Sequence, residues 1–517
     1  MQARGIALAD AGILSAAVVY IGIQLIAVSR RVPLGHDEAA YMLRARYYAG
    51  NAATGADVGF WAPYRAPGLS AVISVPMRIL GESITMSRLI VVLFGAAGII
   101  LVGVLARSFS NARVGSVAAW LVVLSPAYTS YGGLLLLDVP GVALSLAAAV
   151  ALERATRTGV VKWWPGLMVP VWCMAAVYVR FGTTTTLAAA LLGVVAARAD
   201  LLWEQAVRVQ NAIRLGVLAL LSAAAAGSIL LIPFMTGSLV SPFRAQRDRQ
   251  IAKDISPWAS YGDMFDLMWP DGSRPGEAFS TVVLVALVAG WIFTAIAVLH
   301  GRYRRVALAA LVSVVVWIIG LNYALAELFG NYIGLGVPFL AMLAAPGWVY
   351  VYDIATTTSP RRSVSAVLVG AFVAISMVFS VNSSLDQTNA LKRNQWLRDT
   401  GNALNAQSPD QECAVITSYI QIAWYADCLH RAWGHVANGK SYRERPFTAE
   451  DPLLRSVSDK GLPLDDIQED QVYFVIIERG KRQPTGDTLD IVLDDAELVF
   501  DVTNGRRPIN VYRLVEF

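Results

Sequence analysis

Residues 86–106, MSRLIVVLFGAAGIILVGVLA, decide the fold. Between Arg88 and Arg107 the run carries no charged or polar side chain. A helix of about 20 such residues is what crossing the hydrocarbon core of a bilayer requires. Runs of the same kind recur near 11–28, 114–131, 138–153, 164–179, 183–198, 213–235, 279–299, 306–325, 332–352 and 364–381. The length rule then predicts about eleven spanning helices. Composition agrees, since 56% of the 517 residues are hydrophobic and 15% charged, against roughly a quarter charged in soluble domains.

Orientation follows from Lys and Arg in short loops. Arg107 and Arg113 lie in one loop; Arg154, Arg157 and Lys162 in the next of its set. Arg198, Arg208 and Arg214 follow, then Arg302, Arg304 and Arg305, and last Arg361 and Arg362. These are alternate loops, so they are expected in the cytoplasm. With an odd span number the N-terminus is then cytoplasmic and the C-terminus outside. Arg30 and Arg31 run against this pattern, as one pair against five concordant loops. The first span lacks a small-residue cleavage site and is expected to stay as an anchor in the cell (inner or plasma) membrane.

The expected organisation is a transmembrane domain over 1–382 with external loops 29–85 and 236–278, then an extracytoplasmic domain over 383–517. In that last part charged residues become common and short β-type runs appear, such as Ala414–Thr417 and Val472–Ile477. Helical stretches such as Thr388–Ala406 alternate with them, which predicts a small α/β domain. Cys413 and Cys428 fall within it, and outside the cytoplasm two such cysteines are expected to pair. Cys173 lies within an apolar run and reads as a core residue.

Several function classes are disfavoured. The net charge of +4 is too small to point to nucleic acid. No Cys-x-x-Cys or His-Glu-x-x-His spacing and no glycine-rich phosphate loop occurs, which argues against a structural zinc site and a nucleotide-driven pump. The chemistry-bearing residues gather instead at the outer mouths of spans. His36-Asp37-Glu38 opens a helical pattern in the first external loop. One acid there serves as a cap and meets the helix dipole. A pair preceded by His also fits acid–base or metal chemistry. Arg65, in Trp61-Ala62-Pro63-Tyr64-Arg65-Ala66-Pro67-Gly68, is either a snorkelling interfacial cation or an anion contact. Asp138 precedes Pro140 at a span edge, where it is a candidate N-cap and a candidate site carboxylate. Arg180 stands against the positive-inside trend, as a headgroup anchor or a cation for a phosphate. Arg244, Arg247 and Arg249 form a further basic patch that a solvated loop explains equally well.

The order of these motifs resembles the GT-C glycosyltransferases, in the branch of the protein O-mannosyltransferases and aminoarabinose transferases. The acidic pair is matched by Asp37-Glu38 and the basic residue before a Pro turn and amphipathic helix by Arg65-Ala66-Pro67-Gly68. Gly81-Glu82-Ser83 and Arg88 match a Gly-x-Ser and the Arg opening the second span. Asp138-Val139-Pro140 matches an Asp-x-Pro, and Arg180-Phe181-Gly182 a basic-aromatic pattern. Asn331-Tyr332 and Pro338 stand where the family has Arg-Tyr and a later Pro, so the Arg is replaced by Asn331. The resemblance covers about residues 10–355.

It implies a polyprenyl-phosphate sugar donor at the outer leaflet, a hydroxyl acceptor on a lipid, glycan or protein, and inversion at the anomeric carbon. Asp37 is then the base that deprotonates the acceptor. Glu38 and Asp138 shape the site or hold a divalent metal ion, the one cofactor in question. Arg65 and Arg180 hold the phosphate, with His36 and Tyr332 as further substrate contacts. The rival classes are a secondary transporter, which would place acids near the midplane within inverted repeats, and a membrane-anchored glycan-binding sensor.

Overall fold

A computed structural model of the chain describes residues 2–50, 66–158, 161–206, 209–228, 281–324, 330–358, 362–392, 394–407, 413–416, 419–431, 472–477, 496–504 and 507–514. External loop 236–278 therefore lies outside the described residues. The chain divides into two compact units. The first comprises Met1–Arg31, Ala62–Leu69 and Thr85–Thr388; the second comprises Val32–Trp61, Ser70–Ile84 and Asn389–Phe517.

The first unit is helical. It contains α1 (Gln2–Ser29); the second unit's α2 is His36–Ala49, and α3 (Gly68–Leu80) follows. Next come α4 (Ile84–Phe109), α5 (Ala112–Val123), the one-turn α6 (Pro126–Thr129), α7 (Asp138–Thr156), α8 (Trp163–Val179) and α9 (Thr183–Ala197). The chain continues with α10 (Ala199–Ala206), α11 (Val209–Gly227), α12 (Thr281–Leu299), α13 (Arg304–Ala324), α14 (Gly330–Ile333), α15 (Val337–Thr358) and α16 (Arg362–Lys392). Among the described residues seven of these are long and apolar enough to cross a membrane: α1, α4, α7, α11, α12, α13 and α15. Helices α3, α5, α8 and α9 are shorter and apolar. In their described parts the eleven runs expected to span coincide with helices, two of them broken, and not every helix has the expected length.

Two of the differences have local causes. The run 114–131 is cut at Val123, because Pro126 has no N–H for the α-ladder and starts a separate turn. The run 332–352 begins as α14 and restarts at Val337, after Gly334 and Gly336. At the other end of the unit α16 continues through residue 383, past its apolar stretch, to Lys392.

Packing inside the bundle uses small residues and polar cross-links, as expected where burial of apolar surface does not distinguish helix from lipid. A methyl on Gly115 would meet the Gly103 carbonyl at 2.5 Å, so α4 and α5 touch backbone to backbone. Between α12 and α15, Trp291 and Trp348 donate to the carbonyls of Leu340 and Ala286 at 3.1 and 3.0 Å. Thr294 donates to the Leu343 carbonyl at 2.7 Å and accepts from the Gly347 N–H at 2.8 Å.

Basic residues from three of the loops singled out in sequence form ion pairs at one end of this unit. Arg107 pairs with Asp10, and Arg113 with Asp353 at 2.9 Å. Arg305 reaches Asp200 at 2.6 Å. Arg198 is buried, pairs with buried Glu153 at 2.6 Å and donates to the Ser108 carbonyl at 3.4 Å. The expected orientation puts this end in the cytoplasm. A reporter active only outside the cytoplasm, fused after residue 517, is expected to be active. Activity of a cytoplasm-only reporter at that position would reverse the topology.

The second unit carries a five-stranded sheet. After α17 (Gln395–Gln407) come β1 (Ala414–Ile416), α18 (Ile420–Ala426), β2 (Leu429–Arg431), β3 (Val472–Ile477), β4 (Ala496–Asn504) and β5 (Arg507–Leu514). The strand order is β2-β1-β3-β5-β4. β1 runs parallel to both β2 and β3, while β5 is antiparallel to β3 and β4. Residues two apart on the strands point the same way: Tyr473 and Val475 on β3, with Ile509 and Val511 on β5, build the core with Leu404 and Ile422. Cys413 and Cys428 form a disulfide with Cα atoms 4.8 Å apart. It joins the start of β1 to the end of the α18 turn.

Candidate functional site

The candidate residues fall into two groups, one in each unit. In the second unit Gly35, His36, Asp37 and Glu38 form the start of α2. The Gly35 N–H donates to Glu38 Oε2 at 2.7 Å, and the Ala39 N–H to the Gly35 carbonyl at 3.0 Å. Glu38 thus reaches back to the residue that precedes the helix, which is the carboxylate half of a capping box. It is 2% exposed. The two adjacent acids therefore separate by role. Glu38 is spent on the cap, whereas Asp37 is exposed and His36 half-buried. Both acids sit in the first helical turn, where the N-terminal end of the helix dipole favours the ionised carboxylate.

α2 is held along its length. The Leu34 N–H just before it donates to the Tyr425 hydroxyl at 2.9 Å. At its far end the Ala49 carbonyl accepts from Arg78 Nε at 3.1 Å. Between them lies Arg46, 4% exposed. Its Nε and Nη2 each lie 2.6 Å from one oxygen of Glu82, its Nη1 lies 2.5 Å from Asp427 Oδ1, and its Cζ stands 4.0 Å from the Trp424 ring centroid.

In the first unit the second group lies at the junctions of α7, α8 and α9. Asp138 is the first residue of α7; the cap position is Leu137, with no side-chain cap bond. The expected N-cap role of Asp138 is therefore corrected. Its carboxylate instead forms an ion pair with Arg180, which follows α8, with side-chain exposures of 5% and 12%. The Arg180 guanidinium also stacks on Tyr332, 4.6 Å to the ring centroid. The Thr183 hydroxyl donates to the Arg180 and Ala176 carbonyls and ties down the turn between α8 and α9.

Arg65 lies outside the described residues, but its motif does not wholly. A methyl on Gly68 would stand 2.7 Å from the Tyr178 carbonyl oxygen and 2.9 Å from the Val179 nitrogen. The glycine is needed because the turn rests on the backbone just before Arg180. Of the late motif, Tyr332 reaches Arg180, and Pro338 is buried in the first turn of α15. Among the described residues no group of three His, Cys, Asp or Glu is placed to hold a metal ion. Glu38 serves the cap and Asp138 the guanidinium.

The clamp around Arg46 is what sequence reading missed. Glu82 entered only as the middle residue of Gly81-Glu82-Ser83, and Arg46 only as part of a helical stretch. The available signal was an arginine on a short helix beside a glycine-linked acid, with Asp427 next to a cysteine.

Residues 64–232 match the family described as dolichyl-phosphate-mannose-protein mannosyltransferase. No curated protein matches the sequence. Among solved structures, ArnT from Cupriavidus metallidurans in the apo state is similar at a TM-score of 0.58 and 14% identity, covering 96% of this chain and 97% of that one. The same protein bound to undecaprenyl phosphate gives a TM-score of 0.56 and 12% identity at the same coverage. The oligosaccharyltransferase of Archaeoglobus fulgidus, tethered to an acceptor peptide, gives 0.53 and 14%, covering 91% of this chain and 69% of that one. With the helical bundle, the five-stranded sheet and these likenesses together, the chain has the fold of the GT-C glycosyltransferases.

Proposed function

We propose that the chain transfers a sugar, a hexose or pentose, from a polyprenyl-phosphate donor to a hydroxyl acceptor on the outer face of the membrane, with inversion. The observation that carries this reading is the division of labour in the acidic pair. Glu38 turns back to the Gly35 N–H and is buried, whereas Asp37, in the same helical turn, is exposed.

The chemistry asks for a base and for a cation. Asp37 takes the proton of the acceptor hydroxyl. The oxygen attacks the anomeric carbon from the face opposite the phosphate, and the bond from that carbon to the phosphate oxygen breaks. The electron pair leaves on the lipid phosphate, where positive charge lowers the barrier. Arg180 is assigned to that phosphate, with Arg65 as its partner. Asp138 and Tyr332 fix the plane of the Arg180 guanidinium, and a planar fork is suited to phosphate oxygens. An Arg has five N–H donors, so the pair with Asp138 leaves others for a ligand. The match to a lipid-phosphate mannosyltransferase family and the undecaprenyl phosphate bound to ArnT support this class of donor. An extracytoplasmic site in a cell membrane is part of the same reading, as are a lipid, glycan or protein acceptor and independence from nucleic acid.

The test uses purified full-length chain in liposomes carrying a labelled sugar on undecaprenyl phosphate, with membrane extract from the source cells as acceptor. Label is expected to move from the lipid to an acceptor without added nucleotide. Uptake of the intact labelled lipid or free sugar, with no transfer, would favour a transporter instead.

A further inference from the structure

We infer that Arg46 is a positioning residue for the reaction, and that the Cys413–Cys428 disulfide acts on α2 through it. This rests on the functional reading above only where it concerns turnover. The structural part stands on the contacts within the second unit.

Arg46 lies on the same helix as Asp37, nine residues on, or roughly 13.5 Å along the axis at 1.5 Å per residue. A 14-residue helix is too short to be stable in water by itself. Its geometry must come from what grips it, and Arg46 is one such grip, with hydrogen bonds to two carboxylates. One guanidinium joins three segments that are far apart in sequence: α2, the Gly81–Ser83 linker through Glu82, and the α18 turn through Asp427. Its face is covered by Trp424. A buried arginine needs these partners, because a charge left unpaired in such a place is costly.

The Asp427 contact depends on an uncommon backbone state. Asp427 has φ +58° and ψ +29°, the left-handed region, where it ends α18. Non-glycine residues rarely hold that conformation, although Asp and Asn do so more readily than most. Its neighbour Cys428 is bonded to Cys413, the residue before β1, a strand that lies between β2 and β3. The disulfide therefore fixes the residue beside the Arg46 acceptor, and the acceptor fixes α2. Reduction adds two thiol hydrogens and removes the covalent link between Cys428 and Cys413, leaving the pairing of Leu429 with Ala414 in the β1–β2 ladder. The Asp427 turn is then held by the β1–β2 ladder and the end of α18 without the covalent tether, and its contact with Arg46 loosens.

Asp427→Asn is the clean variant, since Asn keeps the left-handed backbone and removes the charge. Hydrogen exchange of the amides of Ala39–Ala45 is followed in the full-length protein in detergent, with and without dithiothreitol. Exchange is expected to quicken about tenfold or more in Asp427→Asn, and by a similar factor in the reduced wild-type chain. Reduction is expected to add little to the variant, because both act through the same contact. Exchange in α12 and α15 should not change. With a donor that is turned over in the liposome assay, Asp427→Asn is expected to lower kcat about tenfold at nearly unchanged donor KM, whereas general destabilisation would lower the amount of active protein and leave kcat per folded molecule alone. Unchanged α2 exchange in Asp427→Asn overturns the inference, as do effects of substitution and reduction that multiply. Should Asp427→Asn fail to fold, Arg46→Lys, which keeps one charge but not the fork, must show the same exchange pattern or the inference is lost. Wild-type chain that moves no sugar while the exchange results hold would overturn the functional reading alone.

Discussion

Asp37→Asn is expected to slow transfer by about two orders of magnitude or more, the usual scale for losing a general base, in a chain that folds as well as wild type. The structure sharpens this expectation, because Glu38 turns back to the Gly35 N–H while Asp37 is exposed. Removing the Asp37 charge forfeits its helix-dipole interaction, worth about 0.3–1 kcal/mol at an exposed site. Glu38 gives the converse result. Glu38→Gln retains an oxygen for the Gly35 N–H, and Gln serves a capping box as Glu does, so that variant should remain stable and active. Glu38→Ala removes the acceptor and should cost about 1 kcal/mol, the typical loss of a cap. Turnover per folded molecule, with thermal unfolding as the control, separates the two acids. Near-normal turnover by Asp37→Asn would end the assignment of Asp37 as the base.

Arg180→Ala is expected to abolish transfer and to lower stability by about 3–5 kcal/mol, because it removes the opposite charge beside the buried Asp138 carboxylate. A loss of function on its own would not identify a phosphate contact, since the variant is also destabilised. The double variant Arg180→Met with Asp138→Leu resolves this. Replacing both members of a buried ion pair with apolar side chains is often neutral or stabilising. The double variant should therefore recover most of the lost stability and none of the transfer. Arg180→Lys should lie between, folded but slowed, since one ammonium cannot reproduce the fork toward both Asp138 and a phosphate. Transfer that returns together with stability in the double variant would show that Arg180 is structural.

The positions of the spanning helices were legible because an apolar run of the right length has few other uses. What was not legible was where such a run breaks. Pro126 and the glycines around Leu335 interrupt helices within runs that hydropathy alone treats as continuous. The polar end of α16 gives the opposite error, since a helix can leave the apolar region without a break. In the candidate site, the sequence singled out Asp138, Arg180 and Tyr332 one at a time, and the fold brings these three together. It had no means of dividing the acidic pair, because the difference between Asp37 and Glu38 is one of reach: the longer side chain can bend back to Gly35. The Arg46 clamp was hidden for a related reason. Its parts come from residues 46, 82, 424 and 427, and no local pattern links them.

That separation has a consequence for how the protein is made. Leu34 and Tyr425 are 391 residues apart, and Arg46 and Asp427 are 381 apart. At about 5–20 residues per second of synthesis, the first acidic helix emerges roughly 20–80 s before the segment that grips it has been made. During that interval the bundle helices can insert, but α2 lacks part of its support and Arg46 lacks one of its carboxylates. A nascent or prematurely terminated chain would thus occupy the membrane with an incomplete acidic helix. The order of synthesis makes completion of the C-terminal segment a checkpoint on the N-terminal one, and a chain so arranged has its acidic helix fully held only when it is whole.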